Sequence, residues 1–325
     1  MQSLTPSKTY KRVIGVDIAS DKIDVHDTAG KLSGEVPNTH SAIDKTLASK
    51  LRNLDGVLVI CEASGGYERV LVDRMQIAGI DVALANARQV RDFAKGHGLL
   101  EKTDRIDAAV IAKFGREVNV HLAPIKSAAQ RAFAALVRRR GQVLELLQAE
   151  KNRLAIDHDE VTAEMTGQTI SHLQMQLETL NQKISGGLDQ QAKEDPKIDV
   201  LRSVPGIGPV STATLVAELP ELGTISRAKI AKLVGVAPIV QQSGKSDKKR
   251  VTRGGRTQVR SVLYMAALVA CRCNPTIKRF YNRLIANGKP PKVALTACMR
   301  KLLTILNVMV RHNEPWRQTE PSLSK

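Results

Sequence analysis

Two aspartates in the segment KTDRIDA, residues 102–108, have the type and spacing that suit metal-assisted chemistry on a phosphodiester. If this segment is helical, Asp104 and Asp107 are three residues apart and share one face of the helix. Mg²⁺ prefers oxygen ligands and keeps part of its water shell. Two such ions about 3.5–4 Å apart can hold the attacking and leaving oxygens of a phosphoryl transfer. The spacing therefore points to a divalent-metal site, with an N-cap role for Asp104 before a helix starting near Arg105 as the alternative.

Two more acids end apolar runs that have the composition of buried strands. Asp17 ends the run in VIGVDIAS and Glu62 ends the run in VLVICEAS. An unpaired charge in such a setting is costly, so we predict that Asp17, Glu62, Asp104 and Asp107 converge as catalytic ligands for Mg²⁺, two ions per site. The alternative is that all four are ordinary strand-end and helix-cap acids.

The motifs that carry these acids resemble those of a known family. GVDIAS, CEASGGYE and KTDRIDA are similar to the DEDD motif of the insertion-sequence one-ten (and eleven-eleven) family of transposases. The resemblance covers roughly Arg12 to Trp316. It implies a RuvC-like N-terminal domain, a recombinase encoded by a mobile element, and a structured bridge RNA from the same element that pairs with donor and target DNA.

A serine far from the acids is the second catalytic candidate. In the family that this chain resembles, the position of Ser243 in QSGKS is that of a nucleophilic serine, within a composite site formed across subunits. A serine that attacks a phosphodiester stores the bond energy as a phosphoserine, but it needs activation by a base or a metal. No base lies near Ser243 in the sequence, so we infer that it must meet the acid cluster in cis or from another protomer. Judged only by its Ser-Gly context, Ser243 would be an ordinary turn residue. Ser246 is the alternative candidate for the nucleophile.

Composition narrows the class of protein. The chain has 325 residues, of which 42% are hydrophobic, enough for two domains with cores. No run approaches eighteen apolar residues and the first residues lack an apolar signal region, so we expect a cytoplasmic protein without a membrane partner. The spacing of the four cysteines matches neither a zinc ribbon nor a disulfide framework, and we expect free thiols in a reducing compartment.

The distribution of charge predicts a polyanion partner. The net charge is +17. Residues 196–325 hold 23 Lys+Arg and 6 Asp+Glu, which accounts for the whole excess. Aromatic residues make up only 3% of the chain, so phosphate contacts should dominate over base stacking. We expect double-stranded donor and target DNA and a guide RNA as partners, with the protein associated with the bacterial nucleoid.

The order of predicted elements divides the chain. Alternating strands and helices over residues 12–125 predict an α/β domain of the RNase H (RuvC-like) type. Apolar residues at near-heptad spacing over residues 126–195 predict two long helices with a break near Thr166-Gly167, either as an intramolecular hairpin or as a coiled coil between protomers. Residues 196–317 predict a basic all-α domain, and we expect a flexible leader at 1–11 and a disordered tail at 318–325. Self-association would give a dimer, and a tetramer in the synaptic complex.

The basic domain holds two nucleic-acid motifs. Pro205-Gly206-Ile207-Gly208 between apolar helices resembles a helix-hairpin-helix, whose backbone amides can hold a phosphate; a tight turn used only for packing is the alternative. The second motif is a basic stretch that would lie along nucleic acid, or else be a solvated loop. Its candidate contacts are Lys245, Lys248, Lys249, Arg250, Arg253, Arg256 and Arg260.

Together these features predict a Mg²⁺-dependent recombinase that exchanges DNA strands by transesterification. Two rivals remain at this stage. One is a RuvC-like structure-selective endonuclease in which water is the nucleophile. The other is a non-enzymatic nucleic-acid-binding protein that has kept the fold.

Overall fold

A computed structural model of the chain describes residues 10–99, 104–238, 242–243, 246–247, 252 and 254–317; the side chains of 104–106 and of the two short strands at 242–247 are not part of that description. The chain divides into two compact units, residues 1–125 and 126–325. The first unit is mixed α/β and the second is mostly helical, which confirms the predicted α/β-then-helical order; the helix-hairpin-helix and the coiled coil between protomers stay predictions.

The first unit is built on one five-stranded sheet. Its strands are β1 (Arg12–Ile18), β2 (Lys22–Asp27), β3 (Gly34–Pro37), β4 (Val57–Glu62) and β5 (Asp81–Ala85). Their spatial order is β3-β2-β1-β4-β5, with β1 antiparallel to β2 and parallel to β4. The helical elements are α1 (His40–Ile43), a π-helical turn (Asp44–Ala48), α2 (Ser49–Leu51), α3 (Glu68–Ile77), α4 (Ala87–Gly96) and α5 (Asp104–Glu117). This topology is consistent with a RuvC-like domain.

The sheet is covered by helices on both faces, which explains its nearly continuous apolar strands. Along β1, Ile14 and Val16 pack into one core with α1, α2 and α3. Val13 packs on the opposite face, in a second core with residues of α4 and α5. Because successive side chains of a strand point to opposite faces, Asp17 lies on the face of Val13, which is the face covered by α5.

An ion pair joins the first residue of β1 to the last residue of β2, at the end of the hairpin away from its turn. Arg12 donates from Nε to Oδ1 of Asp27 at 2.9 Å and from its terminal nitrogen to Oδ2 at 2.5 Å. The backbone N–H groups of Ala29 and Lys31 also donate to this carboxylate, each at 2.9 Å. Burial alone would raise the pKa of Asp27, but the Arg12 and backbone hydrogen bonds outweigh it and hold the pKa below its ordinary value. The pair fixes the strand that carries Asp17.

The second unit is a set of helices with one short two-stranded element. Its elements are α6 (Ala128–Leu154), α7 (Glu160–Ala192), α8 (Lys197–Arg202), α9 (Pro209–Glu218), α10 (Arg227–Val234), β6 (Gln242–Ser243), β7 (Ser246–Asp247), α11 (Thr257–Cys273), α12 (Pro275–Ala286) and α13 (Pro291–His312). Helices α6 and α7 pack along each other through Val143, Leu147, Ile170 and Leu173.

The predicted break near Thr166-Gly167 is wrong. Residues 155–159 separate the two long helices, and Gly167 lies inside α7. The side chain of Asp159 accepts a hydrogen bond from the Thr162 backbone N–H at 2.9 Å and so caps α7. A capped start outweighs the cost of one glycine within a long helix, which is about 1 kcal/mol.

Helix α13 lies at the centre of the core of the second unit. Its length and mean hydropathy, 1.6 over the best eighteen residues, would allow it to cross a membrane, but 50% of that stretch is buried within the chain. Leu302, Leu303 and Leu306 are fully buried there, together with Cys298. The helix therefore has the burial of a core helix. All four cysteines are free thiols, as predicted.

Candidate active site

Asp17 and Glu62 lie side by side at the carboxyl ends of two parallel strands. The register between β1 and β4 runs to the pair Val16–Cys61, so the next residues, Asp17 and Glu62, follow in step. Residues in step on adjacent strands point to the same face of a sheet. Both carboxylates are half-buried, and the Asp17 side chain also accepts a hydrogen bond from the backbone N–H of Ile18 at 3.0 Å.

Helix α5 approaches this face closely because two glycines make room for it. A Cβ atom at Gly15 of β1 would lie 2.1 Å from the carbonyl oxygen of Ala108 and 2.4 Å from the backbone nitrogen of Ala112. A Cβ atom at Gly115, in the last turns of α5, would lie 2.9 Å from Cγ2 of Ile60. At Gly15 the backbone of α5 thus touches the backbone of β1, and at Gly115 the helix rests directly on the side chains of Val13 and Ile60.

These two contacts also give the direction of α5. Ala108 lies over Gly15, and Gly115 lies next to Val13 and Ile60, so α5 runs opposite to β1. Its first turn therefore extends toward the strand end that carries Asp17.

The spacing along the two elements brings the acids to one level. Asp104 lies four residues before Ala108, about 6 Å along the helix. Asp17 lies two residues beyond Gly15, about 6.6 Å along the strand. The backbone thus places the acid-bearing end of α5 beside the strand ends that carry Asp17 and Glu62. Within the described side chains, which exclude that of Asp104, no three His, Cys, Asp or Glu residues form a group that could hold a metal ion.

Replacing Gly15 by alanine is expected to lower the free energy of unfolding and to impair activity together. The new methyl group would meet backbone atoms of α5, which cannot rotate away, so the helix must shift at a cost of about 1–3 kcal/mol. Chemical denaturation of the purified protein and a strand-cleavage assay would measure both effects. Gly96→Ala is the matched control, because nothing lies within 4 Å of a Cβ atom at Gly96. Equal stability and activity of the two variants would contradict the close approach of α5.

Glu68 shapes the loop that follows Glu62, a role that the sequence analysis missed. One of its carboxylate oxygens, Oε2, accepts hydrogen bonds from Ser64 N at 3.1 Å, Ser64 Oγ at 3.0 Å and Gly66 N at 2.8 Å. Burial alone would raise the pKa of Glu68, but these hydrogen bonds lower it below its ordinary value. The charged carboxylate thus holds the turn directly after β4. The signal in the sequence is the serine four residues before Glu68, in ASGGYE.

Asn38 links the loops that leave β1 and β4. Its side-chain amide donates to the carbonyl oxygen of Ala19 at 3.0 Å and to that of Tyr67 at 3.2 Å. Ala19 follows β1 and Tyr67 precedes α3. One side chain therefore holds together the segments that carry Asp17 and Glu62. Nothing local in the sequence distinguished Asn38 from an ordinary turn residue.

A further acid, Asp24 of β2, lies next to Asp17, on the edge of β1 that faces away from β4. The two residues are directly paired in the antiparallel ladder, and Glu35 of β3 is paired with Asp24 in turn. Lys22 partly balances this row of carboxylates, with Nζ 2.8 Å from Glu35 Oε2 and 3.6 Å from Asp24 Oδ2. Asp24 was not among the predicted site residues, because its strand was read as a simple polar–apolar alternation.

Ser243 lies in the short two-stranded element of the second unit. Strands β6 and β7 pair antiparallel, with Ser243 opposite Ser246 and Gln242 opposite Asp247. The predicted nucleophile and its rival are therefore direct partners in the ladder. Most of the predicted phosphate contacts lie outside the described residues: Lys245, Lys248, Lys249, Arg250 and Arg253.

The two described arginines of the basic stretch have partners within the second unit. The Arg256 guanidinium donates to both carboxylate oxygens of Glu221 at 2.5 Å each, and to the carbonyl oxygen of Glu218 at 2.7 Å. Arg260 donates to the carbonyl oxygen of Gly254. The charge of Arg256 is thus balanced locally, whereas the hydrogen bond of Arg260 leaves its charge uncompensated by any described carboxylate.

The two glycines of the PGIG turn differ in their surroundings. Gly206 has φ +100°, and a Cβ atom there would lie 2.7 Å from Cβ of Ala270 in α11. The positive φ and the close contact with Ala270 therefore explain why position 206 is a glycine. Gly208 is the N-cap of α9, has no side-chain cap, and nothing lies within 4 Å of a Cβ atom there. Of the two, only Gly208 leaves open space at a helix N-terminus.

An α/β unit with acids at neighbouring strand ends and on an adjoining helix, followed by a basic helical unit, is the arrangement expected of a DEDD-class transposase. Comparison with known families agrees. A DEDD family profile of the IS110 type, described as "Transposase", matches residues 14–156. The profile described as "Transposase IS116/IS110/IS902 family" matches residues 198–282. The chain belongs to the IS110 family of DEDD transposases.

Individual relatives support this assignment over nearly the whole chain. The chain is 29% identical to the pilin gene-inverting protein of Moraxella lacunata over 320 residues, which cover 95% of this chain and 98% of the relative. It is 23% identical to a probable family 20 transposase of Pseudomonas aeruginosa, over 94% of this chain and 98% of that protein. A protein of the insertion element IS110 from Streptomyces coelicolor is 28% identical over 39% of this chain and 32% of its own length.

Proposed function

We propose that this transposase cuts and rejoins DNA strands through a phosphoserine intermediate, with Asp17, Glu62, Asp104 and Asp107 as metal ligands and Ser243 as nucleophile. The observation that carries the proposal is the approach of the acid-bearing end of α5 to the strand ends of β1 and β4. Carboxylates brought together from these three elements would supply the oxygen ligands that a hard divalent cation requires. Mg²⁺, as two ions, is the cation that fits this donor set; bound there, it would neutralise charge that develops on the reacting phosphate.

The proposed step conserves phosphodiester energy. Oγ of Ser243 forms a bond to phosphorus, the bond from phosphorus to one deoxyribose oxygen breaks, and that oxygen leaves as a hydroxyl. The serine proton passes to water or to a carboxylate, and the leaving oxygen takes up a proton from water, so that protons balance. Attack by the hydroxyl of another strand reverses the step, releases Ser243 and forms a new phosphodiester bond. No bond is lost to hydrolysis.

Relatives that align over nearly the whole chain favour rejoining of the cut strands over cutting alone. The Moraxella protein is named for inverting a gene, and inversion of a DNA segment requires each cut strand to be joined to a new partner. A covalent protein–DNA intermediate makes this possible without an external energy source. For this reason we propose a recombinase and not a structure-selective endonuclease.

Guidance by an element-encoded bridge RNA is part of the proposal. The whole net charge of +17 is contributed by residues 196–325, and aromatic residues are scarce, so the chain suits phosphate contacts more than base-by-base reading. Pairing by an RNA with donor and target DNA would supply the sequence recognition that such a protein lacks. Phosphate contacts would come from Gly208, from the basic stretch at 245–260 and from the PGIG turn as a helix-hairpin-helix.

Assembly into dimers, and into a tetramer during synapsis, is proposed through the α6–α7 hairpin as a coiled coil. Large apolar side chains are exposed on both helices and in the connection between them: Leu146 on α6, Ile156 in the connection, and Val161 and Met165 on α7. A second protomer would bury them. Such an assembly would act in the bacterial cytoplasm, at the nucleoid.

Strand exchange with defined substrates tests the proposal. Purified protein, the RNA transcribed from the flank of its element, and labelled donor and target duplexes would be combined with Mg²⁺ or with EDTA. We expect a joined donor–target product only with Mg²⁺ and with both DNA partners present. Binding without any cleaved or joined product would instead support a non-enzymatic nucleic-acid-binding protein.

A further inference from the structure

A group of exposed cations lies on α12, in the connection that follows it and at the start of α13. Its members, which we call the α12–α13 basic surface, are Lys278, Arg279, Arg283, Lys289 and Lys292, and all five are exposed. Among the described residues, none of them forms an ion pair. Their mutual repulsion is therefore not relieved by any described carboxylate.

The sequence around this surface contains no acids at all. Between Asp247 and Glu314 there is no Asp or Glu, while the same stretch holds 15 Lys and Arg residues. Several arginines elsewhere in the described chain do have a carboxylate partner, such as Arg74 with Asp44 and Arg202 with Asp189. A cation array without local counter-charges indicates a surface suited to a polyanion.

The helix holds these cations in a fixed arrangement. Ile277 is fully buried and Phe280 is half-buried against the core of the second unit. With 3.6 residues per turn, Lys278 and Arg279 fall on the side of α12 away from Ile277 and Phe280, and Arg283 lies at the edge of that side, beside the Phe280 ring. Lys278, Arg279 and Arg283 therefore project from a helix and not from a solvated loop, whereas Lys289 lies in the short connection before α13.

The surface offers charge but no platform for unpaired bases. The two aromatic residues of α12, Phe280 and Tyr281, are half-buried against the core, and Lys301 Nζ and Arg283 Cζ lie 4.4 Å and 5.3 Å from the Phe280 centroid. Single-stranded nucleic acids are bound largely by stacking on exposed aromatic rings. Cations without such rings fit the regularly spaced phosphates of a double helix.

We propose that the α12–α13 basic surface binds the phosphate backbone of a double-helical nucleic acid, independently of its sequence and separately from the stretch at 245–260. The inference rests on the proposed function in one respect, that the partner is a nucleic acid. The phosphates of a DNA duplex and of an RNA stem share the chemistry that this surface recognises.

Neutralising three lysines of this surface tests the inference. The variant Lys278→Gln/Lys289→Gln/Lys292→Gln would be compared with Lys183→Gln/Lys193→Gln/Lys197→Gln, which removes three exposed lysines from α7 and α8 and changes the net charge equally. Affinity for a DNA duplex and for an RNA duplex of the same sequence would be measured in EDTA over a range of salt concentrations. Catalysis plays no part in this measurement, so loss of metal binding or of Ser243 chemistry cannot affect it.

We expect the variant of the α12–α13 basic surface, but not the control variant, to bind at least about tenfold more weakly than the wild type. The slope of log affinity against log salt concentration should fall in magnitude by about 2–3, since each lost phosphate contact contributes about 0.9. An effect on both duplexes assigns the surface to a backbone of either kind, and an effect on one assigns it to that source. Equal slopes for the two variants would overturn the inference and leave the proposed function intact. Failure of the wild-type protein to bind either duplex would contradict both.

Discussion

Replacing Asp104 by asparagine is expected to reduce strand cleavage by at least about a thousandfold while leaving DNA binding nearly unchanged. The amide has the size of the carboxylate but loses the charge that would hold a divalent cation. Metal ions contribute several kcal/mol to stabilisation of a phosphoryl transition state, and each 1.36 kcal/mol is a factor of ten in rate. The same result is expected for Asp17, Glu62 and Asp107, since a two-ion site needs all of its ligands.

Two measurements on the same proteins separate this role from a structural one. Single-turnover cleavage gives the chemical step, and binding of Mn²⁺ followed by electron paramagnetic resonance gives the metal affinity without catalysis. Asp55→Asn, at an exposed acid of the same unit, is the matched control. A parallel loss of DNA binding and cleavage in Asp104→Asn would argue against the metal-ligand role, as would unchanged Mn²⁺ binding.

The second large effect is expected at Ser243. Wild-type protein with Mg²⁺, RNA and labelled DNA should give a DNA-linked protein band on a denaturing gel, and Ser243→Ala should give none, because the hydroxyl that forms the phosphate ester is gone. Strand exchange should disappear with the band.

The structure supplies the control for this experiment. Ser246 is the direct partner of Ser243 in the β6–β7 ladder, so Ser246→Ala removes a hydroxyl from the same two-stranded element. We expect Ser246→Ala to keep the covalent band. Loss of the band in that variant alone would make Ser246 the nucleophile. Free nicked DNA from wild type and Ser243→Ala alike would make the protein a metal-dependent endonuclease with water as nucleophile.

The pairing of Arg256 with Glu221 changes how the basic stretch is understood. From the sequence, Arg256 and Arg260 were equivalent phosphate contacts. In the structure, Arg256 makes a two-point ion pair with Glu221. Breaking one partner of such a pair leaves an uncompensated charge. A variant of Arg256 would therefore report on stability as well as on nucleic-acid binding, and the exposed lysines of the α12–α13 basic surface are the cleaner probes.

Local patterns were sufficient for the elements that carry the acids. The apolar runs around Asp17 and Glu62 predicted β1 and β4 to within a residue or two, since a strand buried on both faces is read directly from a continuous apolar stretch. The sequence did not indicate β3 or the helical segment from His40 to Leu51, whose residues alternate weakly and owe their structure to packing against the sheet.

What the sequence determined by itself was the family, the α/β-then-helical order of the chain, and the residue types available for metal and phosphate chemistry. Only the tertiary structure decided that Asp17 and Glu62 are in step, that Gly15 lets α5 touch the sheet, and that Glu68 and Asn38 hold the loops beside the site. The reason is that strand register, helix crossing and side-chain-to-loop hydrogen bonds join residues far apart in the chain. Periodicity reports which way a side chain faces, and only the folded backbone decides which distant residue it meets.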